Sequence, residues 1–135
     1  MKKLTFIVVF LIGQWAFAHG ETSLGPHNGY IRMPGAFHTE VVPEGNNKFK
    51  VYLLDIEFKN PTLQKSKLVI KIEHKSKLVA ATCNTRKDYY LCKLPKGLSL
   101  KKGKLFVNAV REELVGAEVI YDLPFNLKIE NHDHH

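Results

Sequence analysis

From Lys67 to His74 the chain reads KLVIKIEH, with Leu68, Ile70 and Ile72 on one side of an extended segment and lysines with Glu73 on the other. A strict two-residue alternation is the mark of a strand with one face buried and one in water. The segments that follow, KLVAATC, YYLCKL, KLFVNAV and AEVIYDLPFNLKI, repeat the pattern at intervals set by turn residues. Upstream, NKFKVYLLDIEFKN alternates around Phe49, Val51 and Leu53, carries on through Ile56 and Phe58, and stops at Asn60-Pro61, as one long central strand. YIRM and FHTEVV precede it. Some seven to eight short strands and no segment of helical period predict an all-β fold. An antiparallel, immunoglobulin-like β-sandwich fits the count and the length, with a small β-barrel as the alternative closure. KSKLV occurs at Lys65 and again at Lys75, which reads as two neighbouring strands with lysine-tipped ends, or as a basic patch for lipid headgroups or wall polymers.

The domain boundaries come from the ends. Met1, Lys2 and Lys3 lead into an apolar run from Leu4 to Ile12, and Ala16 and Ala18 form an A-x-A site. This is the pattern of a cleaved secretory signal over residues 1–18, too short in its apolar run to span a bilayer. The expectation is therefore a periplasmic protein with one domain over residues 19–130. Removing 18 of 135 residues leaves 117, and the formal charge of +7 falls to +5 with Lys2 and Lys3. That basicity points to solubility and anionic envelope surfaces rather than to nucleic acid. Residues 131–135 form a polar tail with a weak, adventitious metal site at His132, His134 and His135 beside Asp133.

Cys83 and Cys92 are the only cysteines. In an oxidising compartment they are expected to pair across a polar turn and staple a hairpin, closing a loop of about ten residues. A soft thiolate pair for copper(I) is the competing use.

The loop-rich head, Ala16 to Val42, holds His19, His27, His38 and Met33 among tight-turn residues. Cleavage after Ala18 makes His19 the N-terminus, where amine and imidazole chelate one ion. His27 and His38 add imidazoles suited to copper(II) or zinc, and Met33 adds a thioether suited to copper(I). Glu40 stands on the same strand face as His38, placed to ligate or to orient an imidazole. The plain alternative is that these histidines only pack the entry to the first strand, and that His74 is a solvated turn residue. There is no zinc-finger spacing and no nucleophile elbow, so no hydrolase plan is supported.

GPHNGYIRMPGAFHTEVV, followed by KFKVYLLDIEFKNP, resembles the head of small periplasmic metal-binding proteins. Their pattern runs G-P-H-G-G, a spacer, G-x-x-H-x-E-V and a VYLLD strand, and related segments occur at the periplasmic ends of adaptor subunits of heavy-metal efflux pumps. The resemblance spans Gly25 to Pro61 and implies His27 and His38 as ligands with Glu40 in support. Asn28 departs from it where glycine is usual. The His19 start is separately similar to N-terminal-histidine copper carriers and copper-dependent polysaccharide oxygenases. A 117-residue domain leaves little surface for a polysaccharide-binding face, so the expectation is a non-enzymatic protein that captures or buffers copper or zinc, linked to a metal efflux system. The alternative is an interaction module for envelope protein, lipid or wall polymer with no metal role.

Overall fold

Alternation is realised most completely in β8 (Gly103–Arg111), where Leu105, Val107, Ala109 and Arg111 are buried and the residues between them face outward. The structure is a computed structural model that describes residues 22–127; the expected signal segment and His19, and the tail with His132, His134 and His135, lie outside those residues. Among the described residues there are ten strands and no helix. The strands are β1 (Tyr30–Arg32), β2 (His38–Pro43), β3 (Lys48–Leu54), β4 (Lys67–His74), β5 (Lys77–Ala80), β6 (Thr82–Thr85), β7 (Tyr90–Lys93), β8, β9 (Leu114–Val115) and β10 (Val119–Leu123).

Two antiparallel sheets face each other, ordered β1-β2-β3-β7-β6 and β10-β8-β4-β5, with β9 also paired to β8. The architecture is a β-sandwich, not a closed barrel. Phe37, Val41, Phe49, Val51 and Leu53 meet Ile70, Ile72, Leu105, Val107 and Tyr121 in one core. Burying each such side chain contributes about 1.5–3 kcal/mol, which is how a domain of this size offsets its chain entropy. Two polar clamps cross that core. The Tyr121 hydroxyl lies 2.7 Å from Thr39 Oγ1 and donates towards the Tyr30 and Thr39 carbonyls. Buried Arg111 donates to the carbonyls of Leu53 and Asn60.

Three expectations change. The predicted long strand ends at Leu54, because Asp55 accepts the backbone N–H groups of Glu57 and Lys59 and the Asn60 amide, which turns the chain. KLVAATC is two strands in different sheets. β5 pairs with β4, then Ala81 donates to the Ile70 carbonyl and β6 crosses to pair with β7. Finally, the run AEVIYDLPFNLKI gives only β10, which ends at Leu123 before Pro124, and β9 adds an edge piece that lies in none of the expected strands. His74 closes β4 opposite Lys77, while Lys75 and Ser76, both at positive φ, form the turn. The two KSKLV copies lead into the neighbouring strands β4 and β5.

Cys83 and Cys92 sit directly opposite each other on β6 and β7 and are disulfide-bonded. The hairpin staple is present and the copper(I) thiolate use is excluded for the bonded pair.

Candidate metal centre

On the outer face of the first sheet, register places Ile31, Glu40 and Tyr52 in one row across β1, β2 and β3. Ile31, Tyr52 and Leu54 form a small second core there, packed by Val42, Phe58 and Tyr89. A carboxylate in the middle of that row is 0% exposed. Leaving it without partners would cost several kcal/mol.

The partners come from the turn Gly25-Pro26-His27-Asn28-Gly29. The Asn28 N–H donates to the Gly25 carbonyl at 2.9 Å, and the Gly25 N–H to the Gly29 carbonyl at 2.8 Å. Pro26 occupies the second turn position, where its fixed φ suits it. Asn28 has φ 62°, the left-handed region where asparagine is among the best substitutes for glycine. The departure from the resembled pattern at this position therefore preserves the turn. Gly25 and Gly29 serve close approach rather than backbone freedom. A methyl group on Gly29 would stand 2.6 Å from Val42 Cγ2 and 2.8 Å from Glu40 Cγ, and one on Gly25 would stand 2.6 Å from Glu40 Oε2.

The turn thus caps the carboxylate. Glu40 Oε2 accepts the backbone N–H groups of His27 at 2.8 Å and Gly29 at 2.9 Å, and Oε1 lies 2.7 Å from His27 Nδ1. With two amide donors already on it, the carboxylate takes the imidazole N–H as a further donor. Nδ1 carries the proton, and the lone pair is left on Nε2. The ring lies flat on Tyr52, with centroids 3.7 Å apart and planes within 1°. Its side chain is 33% exposed. A histidine held by a carboxylate at one nitrogen and open at the other is the usual preparation of an imidazole for a metal. Burial raises the Tyr52 phenol above its ordinary value, with nearby Lys50 acting in the opposite sense. Tyr89 packs beside Tyr52, and the Lys50 ammonium lies over the Tyr89 ring.

His38 pairs with Leu54, one row along the same face. Two residues of strand separate the rows by about 7 Å. His38 is 4% exposed, and its Nδ1 donates to the Asp55 carbonyl at 3.0 Å, so its lone pair is also on Nε2. Phe58 covers it at 4.0 Å from a positive φ of 64°, a conformation that costs a bulky residue on the order of 1–3 kcal/mol and marks a site held by its surroundings. The Asp55 carboxyl is held below the ordinary carboxylate range, chiefly by the Lys59 N–H. Met33 is half-buried just past β1, at the same end of the sheet as His38.

The structure therefore joins His27 to Glu40 directly and sets His38 on the neighbouring row. Glu40 orients an imidazole, since both of its oxygens are occupied inside the turn. Among the described residues no group of three or more His, Cys, Asp or Glu side chains stands together as a complete cation site. Tyr52 and Phe58 were not singled out as site residues in the sequence; Gly25, Pro26 and Gly29 were read there as tight-turn residues, without the cradle that they form around Glu40. For Tyr52 the signal was present: in a strand alternating inward at Val51 and Leu53, the residue between them faces out beside Glu40. Compared with family models, curated proteins and solved structures, the chain matches none.

Proposed function

We propose that the chain is a non-enzymatic periplasmic protein that captures or buffers copper, or zinc as the nearest borderline ion, through His27, and hands it towards a metal efflux system. The observation that supports this reading most is the Glu40 bond to His27 Nδ1, which leaves Nε2 as a fixed, outward-facing donor. One imidazole holds an ion weakly, so the reading requires further donors. His38 offers a second Nε2 on the adjoining row, Met33 a thioether that favours copper(I), and His19 an N-terminal chelate. Reversible coordination is the whole mechanism: the Nε2 lone pair takes up and gives back the ion, and Glu40 holds the ring in place.

Tyrosine emission is a natural readout, because the one tryptophan, Trp15, leaves with the signal segment. Copper(II) held by His27, whose ring stacks on Tyr52, would quench that emission. The experiment is a titration of exported protein, truncated before Asn131, with copper(II) and zinc(II), comparing wild type with His27→Ala. Quenching and binding that disappear in the variant, with circular dichroism unchanged, support the reading. Equal binding by both proteins overturns it.

A further inference from the structure

The charges of this sandwich are sorted by end. One end is built by the segments 43–48, 74–77 and 94–103: the bonds Leu94 N–H to Asn47 O and Leu100 N–H to Asn46 O join the first to the last, and His74 lines a shared hollow with Gly97, Ser99 and Lys102. These segments hold Lys48, Lys75, Lys77, Lys96, Lys101 and Lys102 against a single acid, Glu44, which is already ion-paired with Lys50. The opposite end, 33–37, 55–66, 86–89 and 112–113, holds four basic residues against five acids. None of the six lysines makes an ion pair among the described residues, and all six are exposed.

Folding does not account for this arrangement. Lys48 lies directly opposite Lys93 across the β3–β7 pair, a like-charge placement that costs stability. Two open hollows also lie at this end. One of about 460 Å³ is bordered by Asn46, Lys101 and Phe125, and one of about 440 Å³ by His74, Lys75, Ser76 and Lys102, with Glu73 as the one acid on its lining. Lysine ammonium groups beside hydroxyl and amide donors at the rim of a hollow match phosphate oxygens. Because the cations sit on three loops that project from the same end, a plane can meet them together.

We infer that this end of the sandwich docks on the anionic phospholipid surface of a bilayer. The attraction is electrostatic, at about fivefold in affinity per lysine brought to the surface, and it weakens as salt shortens the screening length. It does not depend on metal binding. His38 and the Asp55–Asn60 turn lie at the far end of β2 and β3, so docking leaves them facing away from the bilayer.

The test is co-sedimentation of the exported protein with phosphatidylglycerol vesicles, phosphatidylcholine vesicles as the neutral control, and soluble polyphosphate as a competing polyanion. Binding to phosphatidylglycerol alone, released by high salt, is expected. Lys75→Glu with Lys102→Glu weakens it by more than about tenfold, whereas Lys65→Glu with Lys87→Glu, the same charge change at the other end, leaves it within about twofold. Each pair consists of exposed residues, and circular dichroism checks the fold. Three results overturn the inference: no sedimentation with phosphatidylglycerol at low salt, equal losses in both variants, or tighter binding to polyphosphate than to vesicles at matched phosphate concentration, which would make a soluble polyanion the partner.

Discussion

Glu40 lies fully buried beneath the turn that carries His27, and its two carboxylate oxygens take both the imidazole nitrogen and the backbone N–H of that one residue. The bond between side chains fixes a ring; the bond to the backbone fixes the loop. One residue of β2 therefore decides where the Gly25–Gly29 turn goes and which nitrogen it presents.

The cradle predicts a steric sensitivity at its glycines. Gly29→Ala drives a methyl group into Val42, the Val41 carbonyl and the Glu40 side chain, so either the turn lifts or β2 shifts. Thermal unfolding should show a loss of about 1–3 kcal/mol. Gly35→Ala is the control, since its nearest neighbour lies 4.0 Å away, and should be within about 0.5 kcal/mol of wild type.

Reduction of Cys83–Cys92 removes the staple between β6 and β7 while leaving their ladder in place. Loss of the short closed loop should cost about 2–3 kcal/mol in denaturant midpoint experiments under reducing conditions. Thiol labelling of unfolded, unreduced protein should find no free cysteine.

Acid should loosen the His38 side of the site in a defined order. The Asp55 pKa is lowered from its ordinary 3.8, first by the Lys59 N–H and then by the Asn60 and Glu57 donors. A lowered carboxylate pKa contributes stability that is present above the unfolded value and is lost as pH falls through the folded one. Amide exchange at Glu57 and Lys59 should therefore accelerate only below the ordinary carboxylate range. Asp55→Asn should remove that pH dependence.

Two-residue alternation made the sandwich legible, because it follows from burying one face of a strand, and it placed β1, β2, β4, β7 and β8. It failed where side chains compete with the ladder. Asp55 captures three donors and ends β3 although Ile56 and Phe58 continue the pattern, and Ala81 crosses between sheets without any break in hydrophobicity. At the site, Glu40 was visible as a residue on the His38 face. Its true partner, His27, stands thirteen positions away in a loop, and only the folded turn brings them together.

His27→Ala, His38→Ala and the double variant test whether the two imidazoles share an ion. In a shared site the double change should cost less than the sum of the single changes, because groups on one ion are not additive. Independent sites give additive losses. Copper(II) and zinc(II) affinities of tail-truncated protein measure the difference.

The sharpest variant is Glu40→Gln, which keeps the size of the side chain but changes what it offers the imidazole. The amide oxygen can still accept the His27 and Gly29 backbone N–H groups at the place of Oε2. That puts the amide NH₂ where Oε1 meets His27 Nδ1, and an NH₂ group must donate. Nδ1 then supplies the lone pair and the ring proton moves to Nε2, the nitrogen that faces solvent. A metal at Nε2 must displace that proton and break the new bond, so affinity should fall by about 10–100-fold while the turn stays closed. Nuclear magnetic resonance of the imidazole nitrogens reads the tautomer directly, and circular dichroism checks the fold. A tautomer switch with unchanged metal affinity would show that His27 Nε2 is not the donor. A loss of affinity without the switch would assign the effect of Glu40 to its charge instead.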